Sequence, residues 1–431
     1  MRPWLMLMLA ALAACEPADV TDSTDRTDDT EPLVVNTTKG ALRGVVDGDS
    51  VAYLGVPFAA PPTGERRWRQ PEPADDWEGV RDAAAFAEHC TQADGEGGSG
   101  WYGSEDCLYL NVWRPAGAPP DAALPVMVYV HGGGRDANAL WTCNTPPDLF
   151  SAVAIHSAPL GLDPLPGLRE RTQDLLAEVG CDDAPEGALA CLRDAPADAL
   201  VTAEAARPRG LASGAFIPTV DGTLCTRQPS AVVQSGNAAD VPVVLGTTEN
   251  EYSHRWSGFT DASYPARVRA AVGAEYADAV LEQYPLSRYP SATVAYTEMM
   301  SDRNVTCPHR RYARMIAATG GTAYHYRFRQ RLPDGVGIGY GVYHTSDILY
   351  LFRHMDGASF DVTDGDVAAQ DAMTRYWTRF AATGDPSGGE DPTWPAYAFG
   401  DERSLALDAT PTIASDIKKE DCDFWDGLLR Q

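Results

Sequence analysis

The chain has 431 residues, of which 44% are hydrophobic and 22% are charged, as is typical of a soluble globular protein. Its 61 acidic and 34 basic side chains give a formal net charge of −27. This charge argues against nucleic acid as a partner, because phosphates attract basic surfaces. It also argues against docking on anionic lipid by electrostatics alone.

The first 14 residues have the features of an export signal. Arg2 precedes a ten-residue apolar run at 5–14, which is too short to span a bilayer and matches the core of a signal peptide. The run ends in LAAC at 12–15, which resembles the bacterial lipobox, where the cysteine is lipidated. We expect Cys15 to anchor an exported protein to the cell envelope through its lipid alone. A plain secretory signal, and hence a secreted protein, is the alternative.

The segment after the signal is acidic and poor in large apolar residues. Residues 16–32 contain seven acidic side chains and one arginine. Such a segment cannot bury enough surface to fold, and its like charges extend it. We therefore expect a lipoprotein signal peptide at 1–14, a disordered acidic tether at 15–32 and one folded domain at 33–431.

The folded part contains runs that predict a mostly buried sheet. Short β segments are expected at 41–46, 51–58 and 107–113. Continuous apolar runs at 126–130, 151–155 and 241–245 predict strands buried on both faces, as in parallel sheets. A helical pattern through Tyr376 and Phe380 is expected to end at Gly384. Strands mixed with helices indicate an α/β domain.

Several motifs point to one enzyme family. The run at 126–130 leads into His131-Gly132-Gly133-Gly134, and a strand ending in H-G-G-G resembles the oxyanion loop of lipase and esterase α/β hydrolases. Three further stretches resemble type-B carboxylesterases (the cholinesterase-like family): LGVPFAAPP at 54–62, SEDCLYLNV at 104–112 and FAATGDP at 380–386. This resemblance, from about residue 40 to 425, implies an α/β-hydrolase fold and hydrolysis of small carboxylic esters by a Ser-His-Glu triad, with no cofactor or metal.

The resemblance also implies roles for individual residues. GVYH at 341–344 resembles the segment with the catalytic histidine, and GTTENE at 246–251 resembles the loop with the triad acid. His344 is then the general base and Glu251 orients it, while Gly133 and Gly134 offer oxyanion-hole amides. Tyr252 stands where the family usually has glycine.

The cysteines fit an exported protein, because disulfides persist outside the cytoplasm. Setting Cys15 aside leaves eight cysteines, without any C-x-x-C pair, and there is no H-E-x-x-H; zinc-ribbon and zincin sites are therefore excluded. The resemblance implies three disulfides, Cys90–Cys107, Cys181–Cys191 and Cys307–Cys422. It leaves the pairing of Cys143 and Cys225 open.

The nucleophile of the triad is missing. No G-x-S-x-G elbow occurs in the sequence, and this is the motif that carries the serine. Only thirteen residues, 135–147, separate Gly134 from Asp148, where a segment begins that resembles the strand after the nucleophile helix. A βαβ unit needs ~30 residues, so about 60 residues with two strands and their helices are absent. We expect an incomplete central sheet with exposed strand edges. The linker 135–147 is polar and cannot replace the missing strands.

Two other residues, Ser157 and Cys143, are candidates for a substitute nucleophile. Ser157 ends a predicted strand but lacks the glycines that relieve crowding at an elbow. Cys143 could act as a thiolate, although an exported cysteine is more often paired. We expect neither residue to act as the nucleophile.

Two functional hypotheses follow from these observations. The first is an exported serine esterase that has lost an internal segment, through a deletion or a gene-model error, and is inactive as written. The second is a non-catalytic surface-binding lipoprotein derived from an esterase.

Overall fold

The computed structural model describes residues 33–94, 100–119, 122–132, 136–146, 148–182, 187–205, 218–332, 341–354 and 361–428. The predicted signal peptide, Cys15 and the tether at 15–32 lie outside these residues. Contacts divide the chain into two compact units. The first contains the chain up to residue 92 together with 102–121, and the second contains 93–101 and the chain from 122 onward.

Fifteen strands are found among the described residues. In chain order they are β1 (Val34–Asn36), β2 (Ala41–Arg43), β3 (Val45–Asp47), β4 (Ser50–Pro57), β5 (Val80–Asp82), β6 (Gln92–Ala93), β7 (Trp101–Tyr102), β8 (Tyr109–Pro115), β9 (Val153–His156), β10 (Asp163–Pro164), β11 (Thr219–Val220), β12 (Val243–Thr248), β13 (Ala323–Phe328), β14 (Arg403–Leu407) and β15 (Thr412–Ser415).

Twelve α-helices are found in the same part of the chain. They are α1 (Asp136–Thr142), α2 (Leu165–Glu178), α3 (Ala188–Asp194), α4 (Ala197–Ala205), α5 (Pro229–Gln234), α6 (Tyr264–Val272), α7 (Ala277–Gln283), α8 (Ala292–Ser301), α9 (Cys307–Ala318), α10 (Ser346–Leu351), α11 (Asp364–Thr383) and α12 (Lys419–Leu428). A π-helical turn, Asp302–Thr306, joins α8 to α9.

The first unit is built from two small sheets. In one, β4 lies between β3 and β8 and is antiparallel to both; in the other, β2 lies between β1 and β5. The predicted segments at 51–58 and 107–113 correspond to β4 and β8. The predicted segment at 41–46 is divided between β2 and β3, which belong to different sheets.

The second unit contains the main sheet, with strand order β15-β14-β13-β12-β9. Strands β9, β12, β13 and β14 run parallel, and β15 is antiparallel to β14. The predicted runs at 151–155 and 241–245 correspond to β9 and β12, so these two predictions and the α/β class are confirmed.

The side chains of β12 alternate between two hydrophobic clusters, as expected for a strand covered on both faces. Val244 packs in one cluster with side chains of α11, including Tyr376 and Trp377. Val243 and Leu245 pack in the other with side chains of α9, including Tyr312. Helix α11 ends at Gly384, which has a left-handed φ of 75°, as predicted. Among the described residues no helix is long and apolar enough to cross a bilayer.

The predicted strand at 126–130 is wrong. These residues belong to no strand in the structure, and the exposed fractions of Val126 and Val128 are 80% and 83%. A β-branched run becomes a buried strand only when neighbouring strands pair with its backbone and helices cover its faces. Within the described part of the chain no strand pairs with this segment.

The polar linker 135–147 contains a helix that the sequence analysis did not predict. Residues 136–142 form helix α1, and Trp141 is only 2% exposed. Its indole packs in the cluster that contains Ile155 of β9, and its Nε1 donates to the carbonyl of Ala239 at 3.3 Å. Trp141 therefore packs this short helix against the sheet.

All three predicted disulfides are present: Cys90–Cys107, Cys181–Cys191 and Cys307–Cys422. The structure adds Cys143–Cys225. This fourth bond joins the end of α1 to the segment before α5. Cys143 is therefore not a free thiol, and the thiolate alternative is excluded.

Candidate active site

Glu251 is the centre of a buried cluster on the loop that follows β12. Its side chain is fully buried. Oε1 accepts hydrogen bonds from the Ser157 hydroxyl at 2.6 Å and from the Thr248 amide at 2.7 Å. Oε2 lies 2.6 Å from Nδ1 of His344. Because both oxygens are bonded, the orientation of the carboxylate is fixed.

His344 precedes α10 and is fixed from two sides. Its backbone amide donates to the carbonyl of Glu251 at 3.0 Å, and Nδ1 bonds to the same residue's carboxylate. Thr345, which follows, has a left-handed φ of 72° and turns the chain into the helix. The side chain of His344 is 33% exposed, and Nε2 has no hydrogen-bond partner among the described residues.

The environment of His344 favours its protonated form. Burial acts against the charged imidazolium and lowers the pKa, but the hydrogen bond and negative charge of Glu251 outweigh burial and raise the pKa of His344 above its ordinary value. A carboxylate that holds Nδ1–H leaves Nε2 as the basic nitrogen. The pair can therefore accept a proton at Nε2 and stabilise the resulting cation.

Ser157 enters this cluster in a role that the sequence did not suggest. It follows β9 directly, has a left-handed φ of 51° and is 1% exposed. Its hydroxyl donates to Glu251 on the oxygen that His344 does not use. A buried hydroxyl whose proton is held by the acid cannot be activated by the histidine. The geometry therefore indicates that Ser157 orients the Glu251 carboxylate and does not act as a nucleophile.

A second histidine with a carboxylate partner lies at the end of β9. Nδ1 of His156 is 3.1 Å from Asp347 Oδ2 and 2.8 Å from the Tyr326 hydroxyl. The indole Nε1 of Trp377 donates to Nε2 of His156 at 3.0 Å. An indole only donates, so Nε2 accepts and the neutral ring carries its proton on Nδ1. Both ring nitrogens of His156 are thus hydrogen-bonded, whereas in His344 only Nδ1 is bonded to a described residue.

Asp347 is ionised because of these partners. Burial alone would raise its pKa, but hydrogen bonds from His156 and Tyr326 outweigh burial and hold the pKa of Asp347 below its ordinary value. Tyr326 donates to Asp347 at 2.8 Å. Its ring fits because Gly246 lies against it: a Cβ at that glycine would be 1.9 Å from the ring. The network fixes β9 to β13 and α10.

A cavity of about 400 Å³ lies behind the acid loop. Five of its lining residues are charged: Glu249, Glu298, Arg327, Arg329 and Lys418. Ester-binding pockets are mostly apolar with a few polar groups, so this cavity does not have the character of an acyl pocket.

The structure brings two of the predicted site residues together and does not describe two others. Glu251 and His344 are in direct contact. Gly133 and Gly134 lie outside the described residues, and Gly132 is exposed. No group of three or more potential metal ligands occurs in the described ranges.

A model of the Carboxylesterase family matches residues 31–139 and 133–425. The chain belongs to the carboxylesterase family. Membership implies the α/β-hydrolase fold, in agreement with the largely parallel sheet of the second unit. Among curated relatives, acetylcholinesterase from Bungarus fasciatus is 25% identical over 525 residues, covering 92% of this chain and 86% of that protein.

The two stretches of this chain that match the family model overlap at one place. They overlap at residues 133–139, which include the last two glycines of the H-G-G-G sequence and the first four residues of α1. The alignment with the Bungarus fasciatus enzyme is 525 residues long, whereas the whole chain has 431. That alignment therefore contains positions that have no counterpart in this chain.

Proposed function

We propose that this chain is an exported member of the carboxylesterase family that keeps the acid and the base of a Ser-His-Glu site but does not hydrolyse esters by the triad mechanism. The observation that carries the proposal is the contact between Glu251 Oε2 and His344 Nδ1 at 2.6 Å. Glu251 is buried, His344 is partly exposed, and the pKa of His344 is raised by its carboxylate partner. No G-x-S-x-G serine exists in the sequence for this pair to activate.

The chemistry follows from what each group can do. His344 can take a proton at Nε2, and Glu251 holds its tautomer and stabilises the imidazolium. Gly133 and Gly134 would supply two oxyanion donors, and the third normally comes from the residue after the nucleophile. Removing the triad serine alone lowers kcat by about 10⁶ in a serine protease. The loss of the supporting strand adds to this deficit.

The test is hydrolysis of a short-chain aryl ester by the purified full chain, with His344→Ala as the matched control. We expect both proteins to react at the background rate. Turnover well above background that disappears in His344→Ala would overturn the proposal. A covalent fluorophosphonate adduct would then identify the nucleophile by peptide mapping.

The alternative is a non-catalytic surface-binding lipoprotein. The exposed apolar residues at 126–130 favour it, because contiguous exposed apolar surface marks interaction sites. The intact Glu251–His344 pair favours the esterase origin, because a binding role does not require it. Resequencing the gene and transcript across codons 133–148, with the intact mass of the protein, separates the two: a recovered segment with G-x-S-x-G supports the enzyme.

Export and lipid anchoring are part of the same proposal. Four disulfides among the described cysteines support an oxidising compartment. The lipobox-like LAAC at 12–15 supports lipidation of Cys15, and the acidic segment at 16–32 supports a tether. Substrates at the family level are small carboxylic esters.

A further inference from the structure

The charged cavity behind the acid loop lies at the carboxyl ends of two parallel strands. Glu249 directly follows β12, Arg329 directly follows β13, and both line the cavity of about 400 Å³. In α/β sheets, ligands bind in crevices outside the carboxyl ends of the strands. Neither Glu251 nor His344 is among the lining residues, so the cavity is separate from the acid–base pair.

Three of the lining side chains are cationic, and two of these have carboxylate partners. Nζ of Lys418 donates to Glu298 Oε2 at 2.9 Å and to Asp302 Oδ2 at 3.0 Å. Nε of Arg329 lies 3.5 Å from Glu249 Oε1. The charges of Lys418 and Arg329 are therefore compensated within the chain.

Arg327 is the third cation, and it is buried without an ion pair. Its side chain is 5% exposed. Nη2 donates to the backbone carbonyl of Glu249 at 2.7 Å, and Nη1 has no hydrogen-bond partner among the described residues. In the same part of the chain no carboxylate forms an ion pair with this guanidinium, and Asp302 acts on it only through space. Because a buried charge without a paired opposite charge is costly, this wall of the cavity favours an anion.

The rest of the lining limits the kind of anion. Glu249 and Glu298 place two carboxylates in the wall, and their charge disfavours a multiply charged ligand. Ala414 and Ile417 contribute an apolar part, against which a short alkyl chain can pack. The planar fork of a guanidinium matches the two oxygens of a carboxylate.

We propose that this cavity is a binding site for a short-chain monocarboxylate. The carboxylate binds the guanidinium of Arg327, and the alkyl chain lies against Ala414 and Ile417. The site uses neither member of the Glu251–His344 pair, so it does not depend on the proposed function.

The test is a titration of the unaltered full chain with sodium butyrate, at an ionic strength held at about 0.1 M with sodium chloride. Butyramide is the matched ligand control, because it has a similar shape and no charge. A ligand that binds the folded state raises the thermal midpoint as its concentration rises. We expect a saturable rise with butyrate and none with butyramide. Equal midpoints with the two ligands would overturn the inference.

The net charge of −27 opposes non-specific accumulation of anions on the protein, so a saturable rise with butyrate reports a local site. Inorganic phosphate is the second arm of the titration. We expect a smaller rise with phosphate than with butyrate. An equal or larger rise would contradict the assignment to a monocarboxylate.

Variants locate the bound carboxylate, with dissociation constants measured by calorimetry. Arg327→Gln removes the unpaired charge and should weaken butyrate binding at least tenfold, because a charge-assisted hydrogen bond is lost. Arg403→Gln is the matched control, since this exposed arginine pairs with Asp401 outside the cavity; it should bind butyrate like the unaltered chain. Equal affinity of the two variants would place the ligand elsewhere and overturn the inference.

A third variant tests the apolar wall without altering the buried arginine. Ile417→Asp changes a half-buried side chain and adds a negative charge where the alkyl chain is expected. Butyrate binding should weaken at least fivefold. Unchanged affinity in this variant would contradict the proposed position of the alkyl chain.

Discussion

Ser157 and His344 bind opposite oxygens of one carboxylate. The serine hydroxyl holds Oε1 of Glu251, and the imidazole Nδ1 lies against Oε2, each at 2.6 Å. The amide of Thr248 adds a second donor to Oε1. The acid is therefore oriented by groups on β9, on β12 and before α10, none of which is a nucleophile. These bonds explain how the contact between Glu251 and His344 keeps its geometry.

We expect Ser157→Ala to destabilise the protein by about 1.5–3 kcal/mol, because a buried hydrogen bond to a charged group is lost. Urea unfolding measures the change. Ser287→Ala, at an exposed position, is the matched control and should leave the midpoint unchanged. Equal stability of the two variants would contradict the role given to Ser157.

Glu251→Gln should change the titration of His344. With Glu251 the folded pKa is raised above the unfolded value of about 6.5. The pair thus stabilises the fold fully below the unfolded pKa, and this stability is lost as pH rises through the folded pKa. In the variant the charge of the carboxylate is lost, while burial still disfavours the imidazolium. The pKa of His344 should therefore fall.

Nuclear magnetic resonance of the histidine ring protons gives the pKa of His344 directly. His325, whose pKa burial lowers to about 3, serves as an internal control that should stay neutral from pH 5 to 9 in both proteins. The difference in urea midpoint between the two proteins should shrink as pH rises. An unchanged His344 titration would refute the assigned cause.

The Cys143–Cys225 bond should stabilise the chain more than Cys181–Cys191. The first pair is 82 residues apart and the second is 10 apart. In the chain-entropy model these separations correspond to about 4.5 and about 2.7 kcal/mol. Double serine variants of each pair, compared by urea unfolding, test the order. A larger loss from the short loop would contradict it.

Gly246→Ala should be strongly destabilising. Its Cβ would lie 1.9 Å from the ring of Tyr326, which cannot move without breaking its bonds to His156 and Asp347. We expect a loss of about 3 kcal/mol or more, because overpacking in a rigid core forces backbone shifts. Gly427→Ala, in α12 with no atom within 4 Å, should be neutral or stabilising. Similar thermal midpoints for the two variants would count against this account.

Cys15→Ala should abolish membrane anchoring. Expressed in a bacterium with its own leader, the full chain should partition into the detergent phase, because a lipid chain buries apolar surface. The variant should remain aqueous or unprocessed. Equal partitioning of both proteins would refute the lipid anchor.

The sequence predicted the elements whose signals are local. β9, β12 and the end of α11 at Gly384 follow from an apolar run or from a terminator residue. The contact of Glu251 with His344 came from resemblance, since nothing in the spacing of 93 residues indicates proximity. Ser157 was missed because its role depends on which strand lies beside it.

The error at 126–130 has a physical origin. The run has the composition of a buried strand, whereas the linker 135–147 has that of a surface loop. Composition does not show which strands and helices lie beside a segment, and the fold depends on those neighbours. Without adjacent strands the apolar run stays exposed, while Trp141 still finds the sheet and forms α1.

The exposed run at 126–130 makes the colloidal behaviour of this chain depend on ionic strength. Five consecutive residues without charge can associate with the same segment of another copy. The net charge of −27 opposes this association by electrostatic repulsion between copies. The reach of that repulsion is the Debye length, which falls from about 30 Å at 0.01 M salt to about 8 Å at 0.15 M. The protein should therefore stay monodisperse in buffer of low ionic strength. Added salt screens the repulsion and lets the exposed apolar segments of two copies associate.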